Sequence, residues 1–429
     1  MKRARLALHW QILLAIALAV AVGSALRGHP GNATTELVAV FEFGGTIFLD
    51  ALKMLIVPLI ASSMIVGVAS LGAHGQLGRI GLRTFGLYVF TTAAAVLIGL
   101  VIVNLVEPGV QGGAPAGTAL ALESDSAEIA RVVANRGAAD IADIFVRMVP
   151  ENVIAAAANN GEILGVIVFS LLFGYFMTRI SEEHAQPLLA FWRGVSEVML
   201  LVTEFVMKFA PIGVFFLVAR VVAKTGLDAA TPLLQFAACI VAGLAIQMFV
   251  VLPLTVRLVT GVRPWAIFGA MAPALLTAFS TASSAASMPL ALDCVEKRVG
   301  VSPRIASFVI PIGASANSNG TALYECAAVV FVAQAYGVAP GFLTQLTVVV
   351  LALVTSMGIA GIPASSLVAI AVILGALGLP PEAIGVLLVF DRPLDMCRTA
   401  VNVFGDACVA AMVARLEGER HVLEPGRVT

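Results

Sequence analysis

Five polar residues recur in the last long apolar run of the chain: Asp391, Asp395, Arg398, Asn402 and Asp406. At about 100° of turn per helical residue they share one face, within roughly 80° of one another. Arg398 offers a planar fork of donors that meets a carboxylate with two parallel hydrogen bonds, a geometry lysine lacks. Asp395, one turn earlier, neutralises an ammonium group, or pairs with Arg398 when the site is empty. Together they suit a solute carrying both charges. Asp406 and Asn402 supply hard oxygens that suit sodium once carbonyls of an unwound segment such as 317–321 join them. Arg392 points about 100° away from Asp391 and reads as an interface or pairing residue.

The elements that must position this face are membrane helices. Of 429 residues, 60% are hydrophobic and 12% charged, against roughly 45–50% and 25% in an ordinary soluble domain; the mean hydropathy is +1.00. In a hydrocarbon core ionisable groups must pair or meet water, so the polar face has to line a site. The other reading, a network of ion pairs that only packs helices, leaves the interrupted segments described next without a role. A core about 30 Å thick takes roughly 20 apolar residues per helix, which places spans near 6–26, 46–72, 83–106, 162–180, 188–221, 232–258, 302–335 and 380–414. Several are long enough to imply tilt or breaks. Residues 109–145 read as a solvent loop.

Two further apolar stretches, 264–295 and 341–377, are interrupted by small and hydroxyl residues at 280–289 and 356–366. Non-helical backbone is tolerated at membrane depth only inside protein or beside water, so each reads as a helical hairpin that enters and returns, with a kinked full span as the alternative. Each is followed by a long helix, the first broken at 317–320 and the second carrying the polar face. That order points to inverted repeats meeting at a midplane site. The expected fold class is an all-α polytopic membrane protein with eight transmembrane helices and two re-entrant helical hairpins.

Charge placement sets the expected orientation. Lys2, Arg3 and Arg5 precede the first run, Arg79 and Arg83 flank the join of the second and third, and Arg415, Arg420 and Arg427 follow the last. By the positive-inside rule both termini are cytoplasmic. The first run imitates a signal peptide, but further spans follow it instead of a soluble domain. Short loops and compact length suggest a bacterial inner (cytoplasmic) membrane. A net charge of −1 offers no basic surface for nucleic acid. The five cysteines, Cys239, Cys294, Cys326, Cys397 and Cys408, have neither disulfide nor zinc spacing. The histidines, His9, His29, His74, His184 and His421, are dispersed, and no hydrolase or nucleotide motif appears, so no enzyme is expected.

Leu52-Lys53-Met54-Leu55-Ile56-Val57-Pro58-Leu59, Pro150-Glu151-Asn152, Ala210-Pro211-Ile212-Gly213-Val214-Phe215, Gly320-Thr321-Ala322-Leu323-Tyr324-Glu325, Ala360-Gly361-Ile362-Pro363 and the run from Asp395-Met396-Cys397-Arg398 to Asp406 belong together. In combination they resemble the glutamate/aspartate transporter family, the dicarboxylate and amino acid:cation symporters that include the excitatory amino acid transporters. The resemblance implies a homotrimer in the bilayer, each subunit an elevator with a fixed scaffold and a moving transport domain. Scaffold would be 1–77 and, with a loop, 109–225; the transport domain 78–108 and 226–416; and 417–429 a cytoplasmic tail. Import of acidic amino acids would be driven by sodium, with a proton as a further candidate.

By the same resemblance Arg398 binds the side-chain carboxylate, Asp395 the amino group, Thr399 and Asn402 the main-chain end, with Thr321, Ser284 and Ile362 contributing from the facing segments. The second hairpin would be the extracellular gate. One sodium site would use Asp406, Asn402, Asn317 and the Gly313 carbonyl; a second, backbone around Ser315, Ser318, Ser356, Met357 and Ile359; a third, Tyr88, Thr91, Thr92, Asn317 and Asn319.

The chain departs from the family pattern in places. Asn319 stands where the third site has a carboxylate, which argues against occupancy of that site because hard cations favour anionic oxygen. Ser318 replaces a methionine thought to couple sodium to solute, Ala285 a serine of the first tip, and Ala282 and Met396 occupy the two positions that share an additional arginine. Glu325 matches a glutamate linked to proton carriage in the animal branch; a passive hydrogen-bonded carboxylate is the alternative. A dicarboxylate symporter needs only Arg398, but Asp395 would repel a solute without an ammonium. An anion channel would need no gate coupled to solute.

Overall fold

The computed structural model describes residues 8–29, 31–72, 78–122, 149–158, 163–261, 264–358, 365–419 and 421–423. Helices α1 (Leu8–Arg27), α2 (Asn32–Met54) and α3 (Ile56–Gly72) come first. Only Leu55 separates α2 from α3, because Pro58 has no N–H for the Met54 carbonyl and its ring crowds that oxygen. The span expected at 46–72 is therefore a broken helix that starts well before residue 46. Helix α4 (Gly78–Val106) leads to a two-stranded hairpin, β1 (Val110–Gln111) and β2 (Ala114–Pro115), paired antiparallel with Val110 opposite Pro115. The expected loop thus begins as a hairpin, turned by Gly112 and Gly113 at φ 58° and 81°.

Helices α5 (Val153–Ala158), α6 (Ile163–Met177), α7 (Glu182–Met207) and α8 (Ala210–Thr225) follow. The span expected at 188–221 is the pair α7 and α8, bent by 51°, where Pro211 withholds the N–H due to the Met207 carbonyl. Helix α9 (Ala230–Ile246) passes through a π turn, Gln247–Val251, into α10 (Leu252–Thr260). The first interrupted stretch is α11 (Trp265–Thr281) and α12 (Ser284–Cys294), packed on each other. Ala282 between them takes a left-handed conformation, φ 50°, unusual for a residue with a Cβ. Ser283 caps α12 by accepting from the Ala286 N–H at 3.2 Å.

The span expected at 302–335 is α13 (Pro303–Ala316) and α14 (Asn319–Ala335), parted by extended backbone at Asn317. The second interrupted stretch is α15 (Phe342–Gly358) and α16 (Ser365–Ala376); its tip, with Ile359 and Ile362, lies outside the described residues. A 3₁₀ turn, Pro381–Ala383, opens onto α17 (Ile384–Leu416), which carries the polar face. Among the described residues five segments are long and apolar enough to cross a membrane, or six with the bent pair, and α6, α11, α15 and α16 are shorter apolar helices.

Helices α1 and α2 pack on α8, and α3 on α6 and α7. Helices α4, α9, α15, α16 and α17 pack on α14, where every residue except Thr321 is buried, and α10, α11, α12 and α13 pack on α17. The apolar stretch of α17 is 89% buried, against 22% in α1, whose Trp10, Leu14 and Leu18 are exposed. The polar face is therefore interior. A Cβ on Gly320 would stand 2.9 Å from the Arg398 carbonyl oxygen, so glycine permits α14 to approach α17 there.

Past α17 the chain clasps its own helix ends. Glu417 accepts from Arg79 at 2.9 Å and Arg83 at 2.7 Å, near the start of α4. The Ser302 N–H donates to Glu419 at 3.0 Å and the Leu423 N–H to the Val299 carbonyl at 2.9 Å. The hydrogen bond from Arg79 holds the Glu417 carboxyl below the usual glutamate range, reinforced by the charges of Arg79 and Arg83. A depressed folded-state pKa contributes stability that is present above the unfolded value and lost as pH falls through the folded one. Thermal melts in detergent should find Glu417→Gln less stable than wild type at neutral pH, with the gap closing below about pH 4; a gap that persists at acid pH would exclude this ion cluster as its source.

Candidate functional site

Arg398 is completely buried, and its surroundings are built from three helices. From α17 itself, Asp391 and Asp395 accept from Nη2 at 3.0 and 3.2 Å. From the start of α16, the Ser366 hydroxyl accepts from Nη1 at 2.8 Å. From α14, the Tyr324 ring lies 3.9 Å from the guanidinium carbon, the geometry of a cation–π contact. A guanidinium without water needs such compensation, since an unpaired buried ion is strongly destabilising.

Arg392 takes the other oxygen of Asp395 at 3.4 Å and donates to the Thr281 carbonyl at 3.3 Å. The last carbonyls of a helix lack intrahelical partners and carry the negative end of its dipole, which suits a cation. Arg392 is thus the pairing residue expected from its angle, and it ties the α11–α12 turn to α17 beside Asp395. Both interrupted stretches reach the charged face, one through Thr281 and the other through Ser366.

One turn along α17, Asn402 accepts from the Gly320 N–H at 2.8 Å and donates to the Thr321 hydroxyl at 3.2 Å. These bonds join the start of α14, where N–H groups lack intrahelical partners, to the face that carries Arg398. A further turn on, Asp406 accepts from Asn317 at 2.7 Å and lies against Gly313 and the Tyr88 hydroxyl. This assembly offers a buried guanidinium and two carboxylates for a charged solute, and close by a buried carboxylate, Asp406, whose oxygens suit a hard cation.

A family model described as the sodium:dicarboxylate symporter family matches residues 8–416. The chain belongs to that family. It is 34% identical to the proton/glutamate-aspartate symporter of Escherichia coli, covering 97% of this chain and 94% of the relative. It is likewise 34% identical to the proton/sodium-glutamate symport protein of Bacillus caldotenax, over 97% and 96%. Mouse excitatory amino acid transporter 3 is 32% identical over 95% of this chain and 86% of its own length. Family membership and the apolar helices make the chain a multi-pass membrane protein of a transporter family.

Of the residues expected to bind solute in this family member, Asp395, Arg398, Thr321 and Asn402 are linked as described, and Thr399 is buried on the same helix. Ser284 opens α12, and its carbonyl accepts from Ser287 at 3.0 Å. Of the first cation set, Asp406, Asn317 and Gly313 meet, whereas the Asn402 side chain turns toward Gly320 and Thr321. Of the second, Ser318 and Ser356 are buried, and the helices bearing Ser315 and Met357 pack on each other. Of the third, Thr92 lies 2.7 Å from Asn319 and 3.4 Å from Asn317, while the Tyr88 hydroxyl donates to the Val309 carbonyl at 2.9 Å. Glu325 is fully buried and accepts from Thr355 at 2.7 Å.

Ser366 and Tyr324 touch Arg398 without having been singled out as ligands in the sequence. Ser366 lies in a hydroxyl-rich tip without helical periodicity, and Tyr324 stands among apolar residues. Ser366→Ala should cost about 1.5–3 kcal/mol, the worth of a hydrogen bond to a charged group, read as a lower thermal midpoint of the purified chain. An unchanged midpoint would remove Ser366 from the Arg398 cage.

Proposed function

We propose that this chain is a secondary active symporter that imports acidic amino acids, aspartate or glutamate, driven by sodium, with a proton as a second coupling ion. The observation that carries the reading is the buried Arg398 held between Asp391 and Asp395. When a solute arrives, its side-chain carboxylate takes the guanidinium and its ammonium takes Asp395, so the pairs of the empty site are exchanged for pairs with the solute. A dicarboxylate has no group to offer Asp395. Its relatives, glutamate and aspartate symporters coupled to protons or to protons and sodium, support the same solute class.

Sodium would bind at Asp406, Asn317 and Gly313, and Glu325 would carry the proton. The interrupted stretches would be re-entrant hairpins that complete an eight-span topology with both termini cytoplasmic. In the elevator motion α4 and α9–α17 would travel against α1–α3 and α6–α8, within a homotrimer in a bacterial cytoplasmic membrane.

The test is uptake of labelled aspartate, glutamate, neutral amino acids and succinate into proteoliposomes, with sodium and proton gradients imposed separately. Aspartate uptake should require a cation gradient and exceed succinate uptake; the reverse preference would overturn the assignment of Asp395. Arg398→Cys should weaken acidic solutes by roughly a hundredfold, about 3 kcal/mol for a lost buried charge pair, and shift preference toward neutral amino acids. Glu325→Gln should abolish the response to an imposed proton gradient while sodium-dependent binding persists, and a retained response would exclude Glu325 as the carrier.

A further inference from the structure

The Arg392 side chain is 11% exposed and reaches groups on two elements. Its Nη1 lies 3.4 Å from Asp395 Oδ2, and its Nη2 lies 3.3 Å from the Thr281 carbonyl at the end of α11. Its Nε is buried without a hydrogen-bond partner. Both contacts are longer than the roughly 2.7–2.9 Å of a strong charge-assisted bond. Arg392 therefore acts on Asp395 through its charge more than through direction, and burial leaves that charge little screened by salt.

Asp395 thus lies between two guanidiniums, Arg398 at Oδ1 and Arg392 at Oδ2. A solute carboxylate that takes Arg398 frees Oδ1 for an ammonium. Arg392 keeps its second anchor, a carbonyl at the negative end of the α11 dipole, and stays at Oδ2. An ammonium on Oδ1 then shares one carboxylate with a fixed cation and is repelled by it. A dicarboxylate gains from the same cation, because Arg392 offsets the Asp395 charge that repels an anion. Both effects favour solutes without an ammonium.

We propose that Arg392 is a specificity-determining residue that acts through Asp395, lowering the preference of the site for an ammonium-bearing solute over a dicarboxylate. The proposal rests on the symporter reading for the class of solute.

The test is binding of aspartate, and competition by succinate, at saturating sodium in purified full-length wild type, Arg392→Met and Arg392→Lys. Aspartate and succinate carry the same two carboxylates, so the ratio of succinate Kd to aspartate Kd isolates the ammonium. The ratio should rise about tenfold in Arg392→Met, which removes the charge but keeps an unbranched stem, and return toward wild type in Arg392→Lys. A residue that only held Asp395 in place would act in reverse, since its loss weakens the ammonium contact and lowers the ratio. An unchanged or lowered ratio in Arg392→Met overturns the proposal, as does succinate that never competes in the wild type or an Arg392→Lys ratio equal to that of Arg392→Met. If Arg392→Met does not fold, Arg392→Gln, neutral with its N–H donors kept, is read by the same criterion. Wild type that binds neither solute at any sodium concentration defeats the symporter reading and this proposal with it; an unmoved ratio with both solutes bound defeats the proposal alone.

Discussion

The charge on Arg398 is the constraint around which the interior is organised. A guanidinium out of water interacts strongly with everything near it, because the low dielectric that makes burial costly also magnifies each attraction. Asp391, Asp395, Ser366 and Tyr324 surround it, and they come from α17, α16 and α14. With Arg392 on the second oxygen of Asp395, two guanidiniums face two carboxylates and their charges balance. The close approach at Gly320 and the almost complete burial of α14 keep these groups within reach of one another.

The breaks in the helices are the second element of the design. A continuous helix consumes its own N–H and carbonyl groups, and an interruption releases them. At Asn317 and Ser318 the break starts α14 beside α17, so that the freed Gly320 N–H donates to Asn402 and the Asn317 side chain to Asp406. At the α11–α12 turn the freed Thr281 carbonyl takes Arg392. Polar backbone thus appears where the polar side chains of α17 need partners, while the exposed surface of α1 is largely apolar.

Much of this was legible from residue order. The angular grouping of Asp391, Asp395, Arg398, Asn402 and Asp406 needed only the helical repeat, and the break at Asn317 followed from amide and hydroxyl residues inside an apolar run. Less legible were features that depend on a change of register. Pro58 and Pro211 each end a helix inside what hydropathy reads as one span, since hydropathy averages over a window and a missing N–H does not alter the average. Gln247 lies in a π turn, where each turn takes up an extra residue, so counting at 3.6 residues per turn assigns it to the wrong face. Ser366 meets Arg398 through tertiary packing between residues 32 apart, which no local pattern encodes.

The clasp beyond α17 bears on how the molecule is made. Arg79 and Arg83 near the start of α4 wait for Glu417, which leaves the ribosome more than three hundred residues later. Helix α17 itself has the lowest mean hydropathy of the five long apolar segments among the described residues, 1.3, and is largely buried, so it is the least self-sufficient segment and finds its compensation against α11, α14 and α16, already synthesised. The first helices can settle in lipid on their own apolar faces. The site can close only when α17 is delivered, so assembly of its charged centre follows synthesis of the helices that surround it.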